Sequence, residues 1–188
     1  MTGRARSGSR SYTGFVLYNP PQHPEPRASR IPLPERLTVR TEIWMGGANS
    51  LHGEAIELTH LQDAWIIDLA GEMPLSHREA AALWLPRVFL DAETRPSNLD
   101  GLNALADSVA RAIHGAQMEG TWPHPPEAPG RIYVMCQHGL NRSGLVTGLI
   151  LRALGLTPEE AIAAIASRPG ALNNQTFAEL VAAFELET

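Results

Sequence analysis

The single cysteine of the chain, Cys136, and the arginine six positions after it, Arg142, are the residues whose types and spacing point most directly to chemistry. They bound the segment Cys-Gln-His-Gly-Leu-Asn-Arg, which runs on into Ser143 and Gly144. A thiolate is a strong nucleophile, and a guanidinium presents a planar fork of donors that matches two oxygens of a phosphate. Ahead of the cysteine, Ile132, Tyr133 and Val134 read as a buried strand; beyond it, Leu145, Leu149 and Leu156 fall on one face of a helix opening near Ser143. The residues between are therefore a strand-to-helix turn. Such a turn aims successive backbone N–H groups and the positive end of a helix dipole at one point, which is how backbone holds a phosphate. The same field favours the thiolate form of a cysteine placed there. Gln137, His138, Gly139, Leu140 and Asn141 are the candidate phosphate-binding residues, and Cys136 and Arg142 share their focus.

This Cys-x5-Arg-Ser pattern, with Gly139 in the loop, resembles the signature of the cysteine-dependent protein tyrosine phosphatase superfamily, and more particularly its dual-specificity branch. The resemblance implies that Cys136 attacks phosphorus in line, that Arg142 and the loop N–H groups hold the equatorial oxygens, and that Ser143 hydrogen-bonds the sulfur as it leaves. It also implies a general acid on a mobile loop beyond the strand that precedes the nucleophile's strand. Asp91 is the residue expected in that role, with Asp100 as its competitor and Glu93 as a third candidate. One position departs from the pattern. Met135 stands where the family places a histidine that orients the loop, which leaves three outcomes open: the loop suffices to ionise the thiol, the enzyme works at higher pH, or activity is lost.

The chain has 188 residues, 44% of them hydrophobic, which suits one well-buried core and a single domain. A net charge of −5 argues against general affinity for nucleic acid or anionic membrane. No stretch reaches the length of a transmembrane helix and the N-terminus lacks the apolar segment of a signal peptide, so a soluble cytoplasmic protein is expected. One cysteine cannot form an internal disulfide, in keeping with a reducing compartment. The seven histidines are scattered without metal-ligand spacing, and the expected chemistry calls for no metal or organic cofactor.

The elements that must position these residues can be read in order. Residues 1–34, rich in Arg, Ser and Pro, read as an extended or partly disordered arm, with the catalytic domain over 35–188. Leu37 to Met45 reads as a strand or pair of short strands ending in Gly46-Gly47, where the resemblance to the dual-specificity phosphatases implies a Gly turn; residues 51–62 read as a helix, and Ala64 to Leu69 as a strand central in the sheet. Asp68 then caps the next turn. Ser76 to Leu83 reads as a short helix with Ser76 as N-cap, stopped by Pro86; Arg87 to Leu90 reads as a strand with Asp91 directly after it. Asp100 is expected to cap the helix of Leu102, Leu105, Val109 and Ile113. Gly120 to Gly130 is a Pro/Gly-rich insertion. Thr157-Pro158-Glu159-Glu160 opens a helix that Arg168-Pro169-Gly170 ends, and Asn173-Asn174-Gln175-Thr176-Phe177 opens the last one. The family has a similar stretch there, and Asn174 or Gln175 is a candidate to orient the hydrolytic water, helix capping being the competing role.

Together these elements make an α/β fold: a central, largely parallel sheet of four or five strands flanked by helices, with the phosphate-binding loop between a strand and a helix. The function expected is phosphomonoester hydrolysis on phosphotyrosine or phosphoserine/threonine in proteins or peptides. Two alternatives stand beside it. The interior His138-Gly139-Leu140-Asn141-Arg142 looks like that of capping-related RNA phosphatases, implying an RNA 5′-triphosphatase acting on an RNA 5′ end; Met135 motivates a phosphate-binding module without turnover.

Overall fold

A strand flanked by parallel neighbours needs apolar side chains on both faces, and the apolar runs of this chain are spent that way. The structure is a computed structural model that describes residues 28–48, 56, 58–115 and 129–185. Five strands, β1 (Ala28–Arg30), β2 (Glu42–Gly47), β3 (Ala64–Asp68), β4 (Leu83–Pro86) and β5 (Arg131–Cys136), form one sheet in the order β1-β2-β5-β3-β4. The pairs β2–β5, β5–β3 and β3–β4 are parallel, and β1 adds an antiparallel edge. The helices are α1 (Leu75–Ala80), α2 (Leu99–Ile113), α3 (Asn141–Ala153), α4 (Pro158–Ile165) and α5 (Gln175–Ala182), with a 3-10 helix at Leu58–Leu61.

Strand alternation divides the core in two. Ile132, Val134 and Cys136 of β5 join the larger cluster, which α2, α3, α4 and α5 cover. Tyr133 and Met135 face the other way, into a smaller cluster with Leu61, Ile66 and Met73. Helices therefore lie on both faces, unevenly. Burial on the smaller side raises the Tyr133 phenol pKa, slightly opposed by the Arg131 charge. The middle place in the sheet belongs to β5, with β3 beside it and buried throughout. Helix α3 is buried from Ser143 to Leu151 without a break, a wider face than its leucines alone indicate. Gly148 lets it approach its neighbours: a Cβ there would lie 2.4 Å from a Val181 methyl.

Several local expectations are corrected. Ala28–Arg30 is a strand and Ile31 is buried in the main cluster, so the domain begins within the stretch read as an arm; residues 1–27 lie outside the described residues. Gly46 and Gly47 are not a turn but the last two residues of β2, opposite Met135 and Cys136. Of the helix expected over 51–62, residues 51–55 and 57 lie outside the described residues, and 58–61 is 3-10. Ser76 is inside α1, whose N-cap is Pro74, and Ser76 Oγ sits 3.3 Å from His77 Nδ1 instead of capping. Arg87 to Leu90 is not a strand. The ladder runs from Leu83 to Pro86, because its partner β3 ends at Asp68, opposite Pro86. Beyond that point Arg87 N–H donates to Asp68 O and Phe89 N–H makes a long bond to Leu69 O, and the regular ladder is over. Asp91 therefore lies on a loop five residues past Pro86. Asp100 is not a cap either: Asn98 holds that position, and Asp100 sits in the first turn of α2, where a carboxylate favours the dipole. The capping box of Thr157 and Glu160 at α4 is as expected. The insertion at 120–130 lies outside the described residues except for its last two. Among the described residues no helix is long and apolar enough to cross a membrane.

Candidate active site

β5 delivers Cys136 to the carboxyl edge of the sheet, residues 137–140 turn, and α3 begins at Asn141, so Arg142 and Ser143 occupy its first turn. Gly139 makes the turn possible. Its φ is +71°, and a Cβ on it would lie 2.3 Å from the carbonyl carbon of Gly46 and 2.5 Å from Gly47 N. The two glycines that end β2 thus serve as a flat floor for the loop. Gly139 N–H donates to Cys136 Sγ over 3.2 Å, and Ser143 Oγ is 3.4 Å from the same sulfur. Cys136 is 2% exposed, with its sulfur held beneath the loop by a loop amide.

A loop whose N–H groups turn inward must leave carbonyls facing outward, and buried carbonyls need partners. The connection between α4 and α5 supplies them. Arg168 Nε donates to Gly139 O at 2.8 Å, and Leu172 N–H donates to Leu140 O at 3.2 Å. Asn174 N–H donates to the Asn141 side-chain oxygen at 3.1 Å. Arg168 also donates through Nη1 to Ser29 Oγ of β1, 2.8 Å away, so one buried guanidinium ties the loop to the edge strand. Sequence reasoning passed over Arg168 as a helix terminator. No local pattern marks an arginine whose partners are 29 and 139 positions away.

Arg142 is fixed by the loops that leave the neighbouring strands. Its Nη1 donates to Leu69 O at 3.2 Å and to Phe89 O at 3.1 Å. Leu69 is presented by a turn that Asp68 shapes: the Asp68 carboxylate accepts N–H groups of Ala70, Gly71 and Met73, and Trp84 Nε1–H, which is the turn-capping role expected of it. The Nε of Arg142 is buried with no hydrogen-bond partner among the described residues. A guanidinium anchored at one nitrogen with another donor unspent is one short of an acceptor.

The candidate acids differ in setting. Asp91 is exposed, yet its segment is held on both sides: Phe89 O by Arg142, and Ala92 O by Asn174 Nδ2 at 2.9 Å. Asp100 Oδ1 lies 3.7 Å from Arg95 on the outer face of α2, its side chain 96% exposed. Glu93 is exposed and contributes its backbone carbonyl to Thr176 Oγ1. Gln175 Nε2 donates to Glu179 on the exposed face of α5. Gln137, His138 and Asn141 are partly buried, and Leu140 is buried. Met135 packs on the opposite face of β5 from Cys136, so its side chain reaches the sulfur only through backbone.

No protein-family description matches the sequence, and no curated protein does. Solved structures do. Human DUSP28 is 18% identical with a TM-score of 0.54, over 74% of this chain and 87% of that one. A mouse protein described as a dual specificity phosphatase, complexed with zinc tungstate, is 17% identical with a TM-score of 0.56, over 84% and 85%. Tk-PTP in its active form is 21% identical with a TM-score of 0.51, over 77% and 90%. The chain has the fold of the cysteine-dependent protein tyrosine phosphatases, in its dual-specificity-like form. Within it, Cys136 and Arg142 bracket the junction from strand β5 to helix α3.

Proposed function

We propose that this chain hydrolyses phosphomonoesters of tyrosine or serine/threonine in proteins through a cysteinyl-phosphate intermediate. The observation that carries the reading is the junction itself: a sulfur contacted by a loop N–H at 3.2 Å, beside an arginine anchored through Nη1 with Nε unspent. A phosphoryl group seated on the loop would receive the N–H groups of Gln137 to Arg142 and the guanidinium, donors preorganised for a charged transition state. The tungstate reported with the mouse neighbour is a tetrahedral oxyanion of the same kind.

In the first step the Cys136 thiolate forms an S–P bond as the ester P–O bond breaks, and the Asp91 carboxyl gives its proton to the departing oxygen. In the second, water attacks phosphorus, Asp91 takes the water proton, and the S–P bond breaks to release inorganic phosphate. Ser143 O–H donates to the sulfur as negative charge returns to it. Asp91 is chosen over Asp100 because its segment is anchored to Arg142 and Asn174, whereas Asp100 faces solvent beside Arg95. The side chain of Met135 lies across the sheet from the sulfur, which is contacted instead by the loop through Gly139 N–H.

The test is a substrate panel run on wild type and Cys136→Ser in parallel: aryl phosphates, phosphotyrosine and phosphoserine/threonine peptides, and triphosphorylated RNA. Turnover of aryl phosphate and phosphopeptides by wild type alone is expected. Equal turnover by Cys136→Ser would overturn the reading. Faster γ-phosphate release from RNA than phosphopeptide turnover would reassign the substrate, and tight oxyanion binding with no product would make this a binding module.

A further inference from the structure

Asn174 has two polar atoms, and capping a helix needs only one of them. Its Oδ1 accepts Phe177 N–H at 3.2 Å, which caps α5. A serine or aspartate would do this equally well. The amide nitrogen is what a cap does not require, and it donates to Ala92 O at 2.9 Å. The orientation of the amide follows from its partners, an N–H on one side and a carbonyl on the other. Two residues on, Thr176 Oγ1 donates to Glu93 O at 3.1 Å. The Phe177 ring meets that of Phe89, their centroids 6.1 Å apart. On its other side the same helix start grips the phosphate loop, through Asn174 N–H on the Asn141 side chain.

These contacts meet on the segment that bears Asp91. Phe89 is held by Arg142 and Phe177, Ala92 by Asn174, and Glu93 by Thr176, while the Asp91 side chain remains exposed. We propose that Asn174 and Thr176 are a latch that fixes the acid-bearing segment in register with the phosphate loop, Asn174 being a positioning residue and not the orienter of the hydrolytic water. The proposal rests on the phosphatase reading above and assigns α5 the part that sequence reasoning left between water and cap. Both polar atoms of Asn174 are engaged and the side chain is buried, which leaves it poorly placed to hold water. Protonation of a leaving group demands a carboxyl within hydrogen-bond reach of it, so displacement of the segment weakens the acid without altering the nucleophile.

The variants are Asn174→Asp, which keeps the cap oxygen and removes the donor to Ala92, and Thr176→Val, which removes the other donor at nearly constant volume. Turnover of a series of aryl phosphates is compared with Asp91→Asn, alongside the pH dependence of Cys136 alkylation and hydrogen exchange of the backbone. The double variant is expected to lose about tenfold to a hundredfold on phenyl phosphate and less than about threefold on a dinitrophenyl phosphate, which needs no acid. Alkylation should follow the wild-type pH profile, and exchange should rise over residues 90–95 but not over 139–144. An equal loss on all leaving groups, no loss, or unchanged exchange over 90–95 overturns the latch. A leaving-group effect in Asp91→Asn without one in the double variant sinks the latch but spares the phosphatase reading, whereas activity surviving in Cys136→Ser sinks that reading. The exchange measurement judges the latch even in the absence of turnover.

Discussion

Replacing Arg168 with methionine removes the group that satisfies the back of the loop between β5 and α3 while keeping an unbranched apolar stem. Arg168 is 9% exposed and donates two 2.8 Å hydrogen bonds, to Gly139 O and to Ser29 Oγ. Hydrogen bonds from a charged donor contribute roughly 1.5–3 kcal/mol each, and a buried carbonyl left alone pays its desolvation in full. The two together put the loss at about 3–6 kcal/mol, a large share of the roughly 5–15 kcal/mol that holds a domain of this kind together. Arg168→Lys should recover about half, because an ammonium reaches one acceptor where the guanidinium fork spans two. Urea unfolding followed by tryptophan fluorescence measures this, with a double-mutant cycle against Ser29→Ala isolating the Ser29 arm at about 1.5–3 kcal/mol. Turnover should fall in Arg168→Met even where the protein is still folded, since Gly139 N–H, which faces the sulfur, belongs to the residue the guanidinium holds. An unfolding free energy within about 1 kcal/mol of wild type, with activity retained, would refute the idea that this buried cation shapes the loop.

Gly139→Ala forces both a positive φ and a Cβ into the backbone of Gly46 and Gly47, atoms that cannot swing aside. Conformational strain of about 1–2 kcal/mol plus overpacking of about 1–3 kcal/mol predicts a severe loss of stability, visible as a lowered urea midpoint. Asp91→Asn should slow phenyl phosphate far more than a dinitrophenyl phosphate, by about 10²-fold or more, while Asp100→Asn leaves both unchanged; the reverse pattern in a leaving-group series would reassign the acid. The Arg36–Glu160 pair gives a pH signature. Hydrogen bonding from Arg36, then from the Thr157 backbone, lowers the Glu160 carboxyl from 4.5 to about 2. Its folded value lies below its unfolded one, so the pair contributes fully above the ordinary carboxylate range and fades as pH falls towards about 2. Arg36→Met should therefore be slightly less stable than wild type at neutral pH and indistinguishable from it near pH 2, the gap staying small because the pair is solvent-exposed. Urea curves at the two pH values check it, and a gap that widens in acid would contradict the assignment.

What could be read from the sequence was read from features whose cause is local. The apolar run Ile132 to Val134 and Leu145 and Leu149 located β5 and α3, although Leu156 falls past the end of α3, and Thr157-Pro158 with Glu160 located α4, because strand burial, helix periodicity and a capping box are each settled within a few residues. Errors arose where a distant partner decides. Val88, Phe89 and Leu90 look like a strand, yet β3 has already ended, so Phe89 turns into the core and Leu90 stands 84% exposed. Gly46-Gly47 looks like a turn, but the pair remains in β2 to floor a loop ninety residues later. Ala28 to Arg30 is too short and polar to announce a strand, and gains its place only by pairing with β2. In the candidate site, Cys136, Arg142 and Ser143 were singled out by a local pattern and the family resemblance it carries. The parts of Arg168, Leu172 and Asn174 could not be read locally, because their work is to answer carbonyls and side chains of other segments.

Cys136 is expected to become covalently phosphorylated during turnover. Rapid acid quench of wild type during turnover of an aryl phosphate, followed by peptide mass spectrometry, tests it most directly. A phosphoryl group on the peptide containing Cys136, appearing before inorganic phosphate and absent from Cys136→Ser, is the predicted result. Steady phosphate release with Cys136 unmodified at every quench time, or with the phosphoryl group on another residue, would contradict it.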